Sequence, residues 1–135
     1  MKRVLFIPFL LAFYFGIAQN TNPASIIGNP IKIGNLLVAQ NDFPEAVSWD
    51  DAKTACKALG KGWRLPTKIE LNTLYLNKTK IGASSNKTYW NSTEYGEQKG
   101  QFVYFKYAWT QYFADGEQST NDKEIENHVR AVRTL

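Results

Sequence analysis

The chain has 135 residues, 44% of them hydrophobic and 14% aromatic, with one cysteine, one histidine and a formal net charge of +4. That length suits one small domain with one core. A single cysteine excludes an internal disulfide, and interspersed charges without a long basic run argue against nucleic acid as a partner.

Lys2 and Arg3 precede an apolar run, Val4–Ala18, in which Gly16 and Ala18 hold the small-residue spacing of a signal-peptidase site. Residues 1–18 read as a cleaved secretion signal, since the run falls short of the roughly 20 apolar residues of a membrane span. No membrane span is expected after cleavage. Removing the signal takes away two basic residues and no acidic one, leaving a net charge of +2. Residues 19–30 are rich in Asn, Pro, Ser and Gly and read as an extended linker. The domain is then expected over residues 31–135.

Ile31–Gln40 is β-rich and is either one strand or two short strands turning at Gly34-Asn35. Val47–Gly62 reads as a helix. Ser48 is its N-cap, Asp50 and Asp51 suit the positive end of the helix dipole, and Gly60 suits its C-terminus. Ala52, Ala55, Cys56 and Leu59 share one face of it, so Cys56 is expected to be buried, with an intermolecular bond as the other option.

The segment Trp63-Arg64-Leu65-Pro66-Thr67 follows. Pro66 forces Leu65 into an extended conformation, and Thr67 with Glu70 forms a capping box for a second helix, Lys68–Leu76. Trp63 and Leu65 are expected to point inward. Arg64 is expected to pair with Glu70 or Glu94, because a guanidinium suits a bidentate carboxylate partner. Trp63, Arg64, Pro66, Glu70, Trp90 and Glu94 are therefore assigned structural roles.

Asn77–Lys87 reads as a polar loop, Thr88–Tyr95 as a short β-segment and Gly96–Gly100 as a turn. Gln101–Phe113 is too rich in β-formers for a surface helix and reads as strand. Asp115-Gly116 is a hairpin signal, Ala114–Asn127 a long acidic loop, and His128–Leu135 a closing strand.

Together these motifs resemble a bacterial surface-domain family typified by the C-terminal domain of the Legionella collagen-like adhesin. The Fibrobacter succinogenes major paralogous domain shares much of the pattern. The matching residues are Trp49, Ala52 and Cys56; Trp63–Thr67 with Glu70-Leu71; Tyr89–Glu94; Ala108-Trp109 with Asp115-Gly116; and Val129–Arg133. The resemblance spans Ile31–Arg133. It implies an α+β, C-type-lectin-like fold, with two helices packed on twisted antiparallel strands and long loops. It also implies a secreted, periplasmic or surface location and a role in adhesion, with polyanionic glycans bound by the best-known relative. Relatives commonly carry a cysteine where this chain has Ala131. If the family bridge joins that position to the helix cysteine, it is absent here.

No catalytic constellation is evident. His128 stands without a nucleophile pattern, and Cys56 lies on an interior face, the wrong setting for a reactive thiol. Trp90-Asn91-Ser92 lacks the second acid of a lectin calcium triplet. Asp115, Glu117, Asp122, Glu124 and Glu126 supply enough oxygens for calcium, but in no known loop spacing, so no metal or other cofactor is assigned and a solvated acidic loop is the simpler expectation. The expected ligand-binding residues are Tyr104, Lys106, Tyr107, Trp109 and Tyr112. Aromatic rings left exposed beside Lys99 and Lys106 can stack on an acidic glycan or grip an extracellular protein. A non-enzymatic binding module is the leading expectation, and an interaction domain of a cell-surface assembly is the second.

Overall fold

The computed structural model describes residues 22–135. The expected secretion signal and the first residues of the linker lie outside the described residues. The rest of the linker is not extended. Pro23–Ile27 forms a short helix, α1, capped by the Asn22 side chain, which accepts from the Ala24 N–H. The reason is local and tertiary together: Asn22-Pro23 is a cap followed by an N1 proline, and Ile26 is buried in the core.

Strands β1 (Ile31–Ile33) and β2 (Leu36–Val38) form a hairpin turning at Gly34-Asn35, the two-strand form of this segment. Helix α2 spans Trp49–Ala58, with Ser48 capping the Asp51 N–H. Its buried face carries Trp49, Ala52 and Cys56. Helix α3 spans Lys68–Leu76 and opens with the complete capping box of Thr67 and Glu70. It buries Leu71 and Leu74.

Four more strands complete the fold: β3 (Thr88–Lys99), β4 (Phe102–Tyr112), β5 (Gln118–Asp122) and β6 (Val132–Thr134). All pairings are antiparallel, in two sheets of order β1-β2-β6 and β3-β4-β5. Three expectations are corrected here. The turn expected at Gly96–Gly100 shrinks to Gly100-Gln101, because β3 runs on through Gly96 to pair Lys99 with Phe102. The acidic loop contains β5, whose polar residues pair with β4 while facing solvent on their outer side. The closing segment is a regular strand only at Val132–Thr134. Before that it switches partners, donating or accepting backbone bonds with Thr88 and Trp90 of β3, then Phe43, then Ala39. Such switching joins the two sheets at the price of strand regularity.

Trp63, Arg64 and Leu65 lie beside β6. Arg64 and Val132 exchange both backbone hydrogen bonds at 2.9 Å. Alternation then sends Trp63 and Leu65 into the core and Arg64 out toward α3. The guanidinium donates to both Glu70 oxygens, at 2.6 and 2.9 Å, and to the Thr134 hydroxyl at 2.9 Å. Glu94, the other candidate partner, instead accepts from Lys123 at 2.7 Å. Gly62, at φ +86°, admits this segment, since a Cβ there would stand 3.3 Å from the Arg133 side chain.

Two apolar clusters fill the interior. One gathers Trp49, Cys56, Trp63, Leu65, Trp90, Ala108 and Val129 around α2, and the other gathers Leu71, Leu74, Tyr89, Phe113 and Val132 around α3. Residues 22–135 thus hold both clusters and every described element. Ala131, where the resemblance places a cysteine, sits in the same cluster as Cys56. Burial pushes the Cys56 thiol up to about 12. Between the clusters the buried Arg130 donates to Asp42 at 2.6 Å and to the carbonyls of Ala39 and Ile81. Asp42 also accepts from the Tyr89 hydroxyl at 2.7 Å.

Four outcomes are expected. Asp42→Ala should cost about 3–5 kcal/mol in denaturant unfolding, because it strands a buried guanidinium. Arg64→Met should cost less, roughly 1–2 kcal/mol, as that pair is partly solvated. The Arg64 hydrogen bond holds the Glu70 carboxyl below its ordinary range. The stabilisation is therefore present above the unfolded carboxylate value and lost as pH falls through the folded one. The stability gap between the parent and Arg64→Met should be full at neutral pH and narrow as pH falls below the ordinary carboxylate range. Cys56 should react with an aromatic disulfide reagent only on unfolding, at a rate set by the denaturant concentration.

Candidate functional site

Along β4 and just past its end, residues 107, 109, 111 and 113 share the face that looks toward α3. Phe113 is buried against Tyr89 and Tyr75, and the Gln111 amide donates to Asn72 of α3 at 2.9 Å. Further out α3 begins, and its cover runs thin. Trp109 and Tyr107 are only half-buried there. Tyr95 of β3 sits between them, its ring edge-on to Trp109 at 6.1 Å and to Tyr107 at 6.4 Å. The Lys68 ammonium, in the first turn of α3, lies 3.5 Å from the Trp109 ring centroid. A cation so close to an indole face is held by the ring quadrupole. The result is a shelf of three rings with a lysine at its inner end.

Beyond the first turn of α3 lies a cleft of about 530 Å³, lined by Lys53, Lys57, Trp63, Arg64, Leu65, Thr67 and Ser92 among others. No carboxylate lines it. Lys53 and Lys57 are four residues apart on the outer face of α2, so both reach the same side. Lys53 and Lys123 also both lie over the Trp49 ring, at 3.9 and 4.3 Å. Shelf and cleft adjoin through the chain: Thr67 and Ser92 face the cleft, while the next residues, Lys68 and Thr93, are joined by a hydrogen bond on the shelf side.

The five residues expected to bind ligand are not one site. Tyr107 and Trp109 belong to the shelf. Tyr112 is on the opposite face of β4, at its far end across from Thr88. Tyr104 is exposed near the tip of the β3-β4 ribbon, with Lys99 5.9 Å from its ring. Lys106 is exposed and bound to Asp122 at 3.1 Å, which raises its own value, while the Glu124 N–H and then Lys106 lower that of Asp122. Sequence reasoning missed Tyr95 and Lys68 for the shelf and Lys53 and Lys57 for the cleft. The i, i+4 spacing of the two α2 lysines was a readable signal; the meeting of Tyr95 with Trp109 depends on strand register.

Of the carboxylates of Asp115–Glu126, Asp115 and Asp122 accept from backbone N–H groups two residues on. Among the described residues no three His, Cys, Asp or Glu side chains cluster as metal ligands. His128 packs 6.2 Å from the Tyr89 ring, and burial, then nearby Lys87, lowers its value. Glu70 and Glu94 each hold a cation and do not form a facing pair. No described helix is long and apolar enough to cross a membrane.

No curated protein is detectably similar in sequence. Solved structures are similar in fold. The snake venom toxin convulxin matches with a TM-score of 0.60 at 11% identity, over 80% of this chain and 96% of that one. EMS16, described as an antagonist of the collagen receptor integrin α2β1, matches at 0.59 and 13%, over 80% and 98%. Botrocetin matches at 0.57 and 12%, with the same coverage. These likenesses establish a C-type-lectin-like α+β fold. The family described as Lcl C-terminal domain matches residues 28–133, nearly all of the described structure, and the chain belongs to that family.

Proposed function

We propose that the chain is a secreted, non-enzymatic binding module of the bacterial surface, and that its ligand is an acidic glycan lying from the lysine cleft onto the aromatic shelf. The observation that carries this is the adjacency of the two. Lys53 and Lys57 flank a cleft free of carboxylates, and Tyr95, Tyr107 and Trp109 continue it with rings able to stack on sugar. The cleft attracts anionic groups and the shelf supplies apolar contact, a division suited to a sulfated or uronic polysaccharide. The family membership supports adhesion, and the fold is one on which binding proteins are built. A buried Cys56 and a histidine packed on Tyr89 support a non-catalytic reading. The second reading, an interaction domain in a larger surface assembly, draws on the exposed apolar residues Phe102–Phe105 at the end of the β3-β4 ribbon.

The test is binding of purified residues 22–135 to neutral and sulfated polysaccharides, with calcium and with chelator. Binding to the sulfated members should weaken steeply with salt and be indifferent to chelator. Lys53→Gln with Lys57→Gln should flatten the salt dependence, and Tyr107→Ala should weaken binding about three- to tenfold, as loss of one ring contact does. Failure to bind any glycan would overturn the proposal in favour of a protein ligand. Loss of binding with chelator would instead place a metal ion in the acidic loop.

A further inference from the structure

The β3-β4 ribbon outgrows its sheet. Strand β5 ends at Asp122, opposite Tyr107, and its last bond to β4 comes from the Lys123 N–H to the Lys106 carbonyl at 3.1 Å. Beyond that point Phe102–Phe105 has no strand on its outer side among the described residues. Phe102, Val103, Tyr104 and Phe105 are all more than half exposed. Edge strands are ordinarily blunted by charge, proline or a covering loop. This one carries four consecutive apolar residues, and its neighbour Lys106 is already engaged by Asp122.

The register says which groups of that edge are free. The two-residue turn Gly100-Gln101 makes Lys99 and Phe102 the hydrogen-bonded closing pair. The pairs then alternate, so Val103 directs its N–H and C=O away from β3. Faces alternate too. Val103 and Phe105 lie over Gly96, where a Cβ would stand 2.8 and 2.9 Å from them. Phe102 and Tyr104 therefore occupy the other face, beside Lys99 and Glu97.

We propose that this edge is a self-association surface, on which β4 of a second copy of the chain pairs antiparallel about a two-fold axis at Val103. The argument for a second copy is complementarity in that register. The two Val103 residues exchange their free N–H and C=O groups. Phe102 of each copy falls opposite Tyr104 of the other, giving two reciprocal aromatic pairs. Across the joined sheet each row reads Lys99, Phe102, then Tyr104 and Glu97 of the second copy, with opposite charges at its two ends. The outer edge of β3 offers Glu97, Gln98 and Lys99, a polar edge of the kind that discourages pairing. A contact of four residues a side is small, so the dimer is weak and concentration-dependent.

The test is sedimentation velocity of residues 22–135 over a wide concentration range. The parent should pass from monomer to dimer. Val103→Pro removes the outward N–H and should abolish dimer, with an unchanged melting midpoint because that group takes no part in the hairpin. Phe102→Lys alone and Tyr104→Glu alone should each weaken association about tenfold. Mixed together they should associate again, since Lys at 102 then meets Glu at 104 while the other aromatic pair is kept. A parent that stays monomeric at every concentration overturns the proposal and leaves the ribbon to a foreign partner. A dimer indifferent to Val103→Pro, or a mixture that fails to recover, overturns the edge or its register.

Discussion

A buried ion pair holds the two halves of this domain together. Arg130, almost wholly buried, bonds to Asp42 and to the carbonyls of Ala39 and Ile81. Asp42 in turn accepts from Tyr89 and lies 3.6 Å from Lys87. These contacts draw together the segment after β2, the loop after α3, the first residues of β3 and the closing segment. A guanidinium without these partners would be intolerable inside the protein. Its satisfied state therefore fixes how the small sheet and the large sheet meet. The chain has no disulfide to do this work, and Cys56 lies buried in the same cluster as Ala131 as an apolar residue.

Arg64 plays the same part nearer the surface. Its backbone pairs with Val132, and its side chain closes on Glu70. One residue thereby ties the entry of α3 to the last strand. Trp63 and Leu65 fill the core on either side of it, and all three residues line the lysine cleft. The cleft and the fold share their supports, so the candidate site stands on packed elements rather than on loops.

The aromatic segment divides by position along the strand. Its inner rings, such as Phe113, are core because α3 and the closing segment cover them. Trp109 and Tyr107 are half-covered because α3 starts beside them. Phe102–Phe105 are uncovered because β3 and β4 extend past β5. One composition yields core, half-covered shelf and free edge, and strand length against cover decides which.

Much was legible from residue chemistry alone. The caps Ser48 and Thr67, the Lys68–Leu76 helix, the need of Arg64 for a carboxylate partner and the burial of Trp63 and Cys56 follow from local rules that act within a few residues, whereas the choice of Glu70 over Glu94 came with the fold. The motif order pointed to the family and hence to the C-type-lectin-like fold. Tertiary structure alone decided the rest. Arg130 chose Asp42, which is 88 residues away in sequence. Glu94 found Lys123, polar residues 118–122 became a strand because β4 offered a partner, and Tyr95 met Trp109 through a register that no local pattern encodes. Spacing along a chain carries helix faces and caps, because those are made by near neighbours. Which strand edges meet and which rings stay uncovered depends on distant segments, and that is where the candidate site lies.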